Sequence, residues 1–168
     1  MKAYLMNLKK QLPEYELAPI TKSNFKQIFE VYDTNQDYNV LAEGKKSTIE
    51  SSMKNIDEVP PNFDIKQKVF VSIWKGNSVY GVLDFLIGYP DKTCVWIGLL
   101  MIHGKLHGQK IGSKIASAVE NAAKIGGYKS IQIAVLENNT KGLAFWRKHG
   151  YERIRDKGNR IVMEKRIN

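Results

Sequence analysis

The sequence predicts a single α/β domain of the α+β type, a mixed and mostly antiparallel sheet flanked by helices. Three apolar runs, at 68–74, 79–87 and 93–102, follow one another across turn-forming segments, which is the pattern of an antiparallel meander. The third run leads through a glycine-rich loop into an amphipathic helical pattern, then into the alternating segment 130–135, the order of a right-handed parallel crossover. A short helix and a hairpin close the chain. With 168 residues, 43% hydrophobic and 26% charged, the chain suffices for one domain with a sizeable core, so residues 1–168 read as one unit.

The N-terminal stretch MKAYLMNLKKQL is interrupted by lysines before an apolar region can form. No run approaches the ~18 apolar residues of a membrane span, so a cytoplasmic location without membrane contact is expected. Residues 16–20 read as a short strand, after which Thr21 or Ser23 can cap a helix with Phe25, Ile28, Phe29 and Tyr32 on its apolar face. Periodicity breaks over 33–39, and a second helix is expected over about 42–56. The segment 58–62, with Pro60 and Pro61, ends it, since proline cannot continue a helix. Lys-Gly-Asn-Ser at 75–78 is a hairpin signal between the first two long runs, and 88–92 turns the chain into the third. From Ile111, the residues Ile115, Ala118, Val119 and Ala122 recur at spacings of three and four, which lays one apolar face along a helix running to about Ile125. Residues 138–148 read as a short helix capped by Asn138 or Asn139, and 151–155 with 160–165 as a hairpin around 156–159.

The net charge of +9 is unevenly placed. Residues 105–168 hold 14 Lys and Arg against 5 Asp and Glu, while residues 1–104 hold 12 of each. A half-chain this basic points to an anionic partner, either nucleic acid or a phosphate-rich cofactor. A basic nucleic-acid-binding module without catalysis is thus one reading, although the chain lacks the aromatic stacking face or helix-turn-helix that supports it. The single cysteine, Cys94, forms no internal disulfide and sits among apolar strand residues, where a buried inert thiol is expected. His103 and His107 share no H-E-x-x-H pattern with an acid between them, Cys94 is too distant to complete a structural set, and no metal site is expected.

The loop between the third run and the long helix contains Gly104, Gly108 and Gly112, with Lys105, Lys110 and Lys114 beside them. Glycine lets backbone N–H groups approach a ligand without a Cβ in the way, and the first turn of a helix leaves its N–H groups unpaired, so this order suits a phosphate. The same order also occurs in α/β proteins that bind nothing there. The spacing is neither a Walker A loop nor a dinucleotide G-x-G-x-x-G.

The segment Ile102-His103-Gly104-Lys105-Leu106-His107-Gly108-Gln109-Lys110-Ile111-Gly112 resembles, in register, V-x-P-x-x-R-G-x-G-I-G at the end of the fourth strand of the GCN5-related N-acetyltransferase (GNAT) family. His107 stands in the Arg/Gln position, Lys110 at the first glycine of G-x-G, and Gly104 replaces the proline. Residues 139–151, with Asn139, Gly142, Phe145, Trp146, Gly150 and Tyr151, resemble the family's second motif N-x-x-A/G-x-x-L/F-Y-x-x-x-G-F, with Trp for the central Tyr.

The resemblance implies the GNAT acyl-CoA N-acyltransferase fold and transfer of an acetyl group from acetyl-CoA, the co-substrate, to a primary amine of a small-molecule or peptide acceptor, by a monomer or homodimer. It implies a pantetheine arm pairing with the backbone of Leu100 and Ile102 between the fourth and fifth strands. The pyrophosphate is expected on the N–H groups of His107, Gly108, Gln109, Lys110, Ile111, Gly112 and Ser113, provided that Lys110 takes a helical φ. Leu100 is the residue whose N–H is placed to polarise the thioester carbonyl. Asn139, Phe145 and Trp146 come from the second motif as cofactor-side residues, although Phe145 and Trp146 read without the family as helix core. The indole of Trp146 holds its proton too tightly to act as the acid that the family's Tyr supplies. Asp84, an acid inside an apolar strand, is the candidate to bind or deprotonate the amine; the alternative is a strand residue that meets water or pairs with a nearby lysine. The acceptor pocket in this family comes from the first two helices and their loops, here 21–64, which match no pattern that names the acceptor.

Overall fold

A computed structural model of the chain describes residues 2–167. Seven strands, β1 (Glu16–Pro19), β2 (Lys68–Lys75), β3 (Ser78–Ile87), β4 (Cys94–Ile102), β5 (Ser130–Leu136), β6 (Glu152–Lys157) and β7 (Arg160–Arg166), make one sheet in the order β1-β2-β3-β4-β5-β7-β6. Only β4 and β5 are parallel neighbours; the other pairs are antiparallel, as the meander, crossover and final hairpin predict. The helices are α1 (Lys2–Gln11), α2 (Phe25–Asp33), α3 (Gln36–Glu43), α4 (Ile49–Met53), α5 (Ile111–Ile125) and α6 (Thr140–Lys148). No helix among the described residues is long and apolar enough to cross a membrane.

Strand alternation assigns the two faces. Val69, Val71 and Ile73 of β2 and Leu83, Phe85 and Ile87 of β3 turn to one face, where Leu8 and Leu12 of the N-terminal segment and Ile115 and Val119 of α5 complete the main core. Phe70 and Val82 turn to the other, against Phe25, Ile28 and Val31 of α2. Cys94 is fully buried, and burial pushes its thiol up to about 11.

The N-terminal segment, given no structure by the sequence reading, forms α1. Tyr4, Leu8 and Leu12, four residues apart, are buried beside α5, and the Tyr4 hydroxyl donates to the Val119 carbonyl at 2.8 Å. The helix expected over 42–56 is instead two pieces, and the first begins inside the stretch expected to break periodicity. Gly44, at φ +71°, ends α3 with its N–H on the Val40 carbonyl, and Thr48 with Ser51 forms a capping box that starts α4 afresh. Neither Thr21 nor Ser23 caps α2. Asn24 precedes it, and its side chain is occupied with the Thr21 N–H and the Pro19 carbonyl, both at 2.9 Å.

Candidate functional site

The parallel pairing of β4 with β5 is short. It runs from Cys94 opposite Ser130 to Ile97 opposite Ile133, and beyond that the two strands no longer pair. The cause lies in β4, where Gly98 is an extra residue: Phe85 of β3 faces Ile97 and Asp84 faces Leu99, leaving Gly98 as a bulge. The inserted residue switches the parity of the strand. Val95 and Ile97 face the main core before it, and Leu100 and Ile102 pack against that same core after it, while Met101 joins the α2 side.

Backbone direction follows from the same alternation. The His103 N–H donates to the Tyr80 carbonyl at 2.9 Å, so Met101 also turns its polar groups to β3, and those of Leu100 and Ile102 face the gap. The Ile102 carbonyl accepts from Asn35 Nδ2 at 2.9 Å, and His107 Nε2 lies 2.9 Å from it, which ties the end of β4 to the α2–α3 junction and to the following loop.

That loop opens with a single 3-10 turn at Gly104–Leu106, where His103 Nδ1 accepts from the Lys105 N–H at 3.2 Å. Gly104 has no room for a side chain, since a Cβ there would lie 2.6 Å from the Thr34 carbonyl. The His107 N–H is taken by the Gly104 carbonyl at 3.2 Å and that of Gln109 by the Leu106 carbonyl at 3.4 Å. Lys110 departs from expectation: its φ is +62°, left-handed rather than helical, so a side-chain-bearing residue holds a conformation that favours glycine. The N–H groups of Gly108, Lys110, Ile111, Gly112 and Ser113 have no acceptor among the described residues. They surround the N-terminus of α5, the positive end of its dipole.

Of the second-motif residues, Phe145 borders this loop, with ring carbons 3.6 and 3.7 Å from where a Gly112 Cβ would stand. Asn139 is the N-cap of α6, its Oδ1 accepting from the Gly142 N–H at 2.9 Å, and a Cβ on Gly142 would collide with that amide. Trp146 is 5% exposed, its ring 4.9 Å from both Phe145 and Tyr151, and belongs to the core.

A cavity of about 820 Å³ opens between the α3–α4 segment, the bulge and the β6–β7 hairpin. Its wall includes Tyr32, Tyr38, Asp84, Tyr89, Trp96 and Gly98. Asp84 is 9% exposed, and Lys68 Nζ donates to its Oδ2 at 3.0 Å while also donating to the Asn55 and Glu58 carbonyls at 2.6 and 2.7 Å. Pairing with a lysine and lining the cavity are therefore both true of Asp84. Burial pushes its carboxyl up to about 6, against the pull of Lys68, and Oδ1 is buried with no hydrogen-bond partner among the described residues. A Cβ on Gly98 would lie 3.0 Å from Oδ2, so the bulge glycine leaves space for the carboxylate. Tyr38, Tyr89, Trp96, Lys157 and Arg160, absent from the sequence-based site, reach the cavity from separate elements and share no spacing that could have announced them. Among the described residues, no three His, Cys, Asp or Glu side chains converge as a metal site.

Residues 29–151 match the model of the family described as Acetyltransferase (GNAT) family. No curated protein sequence matches the chain. An acetyltransferase from Thermus thermophilus superposes with a TM-score of 0.76 at 22% identity, covering 90% of this chain and 96% of its own. The PaiA N-acetyltransferase of Thermoplasma acidophilum, solved with coenzyme A, gives 0.68 at 17%, covering 90% and 98%. The ribosomal-protein-S18-alanine N-acetyltransferase of Escherichia coli gives 0.64 at 8%, covering 92% and 94%. At these identities the structures establish a shared fold.

Proposed function

The chain belongs to the acetyltransferase (GNAT) family and is an acetyl-coenzyme A-dependent N-acetyltransferase, and from that premise we propose that its β4–β5 gap receives the pantetheine arm and the cavity beyond the bulge receives the amine. The observation that carries this reading is the bulge at Gly98. It separates β4 from β5 beside the free N–H groups of α5 and also makes room for Asp84.

The co-substrate supplies the acetyl group as a thioester. Gly108, Lys110, Ile111, Gly112 and Ser113 offer five unpaired N–H donors to its pyrophosphate. His107 and Gln109 shape the loop, since their own N–H groups are engaged. Leu100 turns its N–H and carbonyl, and Ile102 its N–H, into the gap as an added strand requires, the Ile102 carbonyl being engaged by Asn35 and His107, and the Leu100 N–H polarises the carbonyl on which charge develops. Phe145 flanks the loop, while Asn139 and Trp146 serve it through the cap and the core of α6. Asp84 accepts the proton of the acceptor's ammonium group, being ionised above about pH 6. The acceptor is a small-molecule or peptide amine.

Calorimetry with coenzyme A and thiol release in an amine screen test the assignment together. Gly112→Glu sets a carboxylate against the N-terminus of α5 and is expected to weaken coenzyme A at least tenfold. If that variant binds coenzyme A as tightly as the parent, the loop is not the phosphate site.

A further inference from the structure

The charges around the cavity carry information beyond the transfer itself. Five cations line it: Lys45, Lys46, Lys54, Lys157 and Arg160. None forms an ion pair among the described residues. They come from three distant parts of the chain: the α3–α4 connection, the turn after α4, and the β6–β7 hairpin. Register fixes the hairpin pair. Arg160 stands opposite Leu136 at the far end of β5, beyond the point where β5 leaves β4, and opposite Lys157 across the hairpin. Arg160 also lies within electrostatic reach of the Tyr38 hydroxyl on the facing wall. The carboxylates on the same wall are fewer: Glu43 and Glu58, exposed as the five cations are, and Asp84, which is paired with Lys68. The wall also carries Tyr89 and Trp96, edge to face at 5.4 Å.

Taking the cavity as the acceptor site, as proposed above, we infer that the acceptor is a small amine that also carries an anionic group, a carboxylate or a phosphate, held by Arg160 and Lys157 while its ammonium lies toward Asp84. Like charges gathered around one cavity repel one another, and an anion among them relieves that repulsion. A second ammonium in the same place meets five cations against Glu43 and Glu58, a net repulsion, so the arrangement selects against polyamines. The volume suits a small molecule.

The test uses matched acceptors with the full-length enzyme and saturating acetyl-coenzyme A: ω-amino carboxylates of increasing length, 4-(aminomethyl)benzoate, the neutral amide of each, phosphoethanolamine beside ethanolamine, and putrescine. Thiol release is expected to give kcat/KM at least tenfold higher for an acid than for its amide, and an Arg160→Gln, Lys157→Gln double variant is expected to bring that ratio towards one. The carboxylate and phosphate members separate the two anion chemistries. Equal rates for acids and amides, a preference for putrescine, or an acid preference that survives in the double variant overturns the inference. So does failure of every acid to react, combined with no calorimetric binding of their N-acetylated products. Coenzyme A titrated into the same samples distinguishes that failure from loss of the cofactor site, and also reports that the variants are folded.

Discussion

Asp84 is held between two opposing influences. Desolvation raises its carboxyl, the charge and hydrogen bond of Lys68 lower it, and the balance falls at about 6. A base must be ionised to act, so kcat/KM is expected to climb with pH through about 6 and then to lose that limb in Asp84→Asn, with coenzyme A affinity little changed. Lys68→Met removes both lowering influences and is expected to move the limb to higher pH. Stability runs the other way. Because the folded state holds this proton more tightly than the unfolded chain, whose carboxyl titrates near 3.8, the contribution of Asp84 falls as pH rises from about 4 to 6. Thermal melts across that window should therefore show a decline that Asp84→Asn flattens. If Asp84→Asn lowers the melting temperature while specific activity stays at the parent level, Asp84 is structural and another group takes the proton.

Among the elements, the start of α5 is where sequence and conformation disagree most. Lys110 occupies the left-handed region at φ +62°, at a place where the family motif carries glycine. Lys110→Gly is expected to stabilise the fold by about 1 kcal/mol, which for a chain of this size is roughly 2–4 °C in melting temperature. A variant that melts at or below the parent temperature would show that the lysine side chain contributes more than its backbone costs. The strands were legible because period-two patterning and turn chemistry are local; the Lys75–Ser78 hairpin and the α5 crossover formed as read. Other elements were hidden for physical reasons. Over α1 and the residue after it, the stripe of Tyr4, Leu8 and Leu12 is interrupted by Lys9 and Lys10, which are exposed. In α3 the residue that decides the helix end is Gly44, whose left-handed φ no periodicity reveals. The bulge at Gly98 was invisible because 95–102 reads as one apolar run, and a run without alternation carries no parity.

Across the whole molecule, the basic half of the chain divides its charge between two places. Part lies beside the α5 N-terminus, where the glycine motif suggested a phosphate loop, and part lies on the β6–β7 hairpin, whose approach to the α3–α4 segment is a property of the assembled fold. The two parts of the sheet, β1 to β4 and β5 to β7, meet through only four register pairs, Cys94 to Ile97 against Ser130 to Ile133. A ligand whose pantetheine arm hydrogen-bonds along the unpaired end of β4 and whose pyrophosphate closes on α5 adds contacts where the sheet has fewest of its own. Binding to the folded state alone stabilises by mass action, about 2.7 kcal/mol at a hundredfold excess over Kd, or roughly 5–10 °C for a chain of this length. Coenzyme A should produce that shift in the parent and little of it in Gly112→Glu at the same concentration. Hydrogen exchange locates the effect: the amides of Leu100, Ile102 and Gly108, and those of Lys110 to Ser113, should slow on addition of coenzyme A, while the amides of β6 at the outer edge should not. Protection of β6 with no change at Leu100 or in the α5 loop would place the cofactor elsewhere on the molecule.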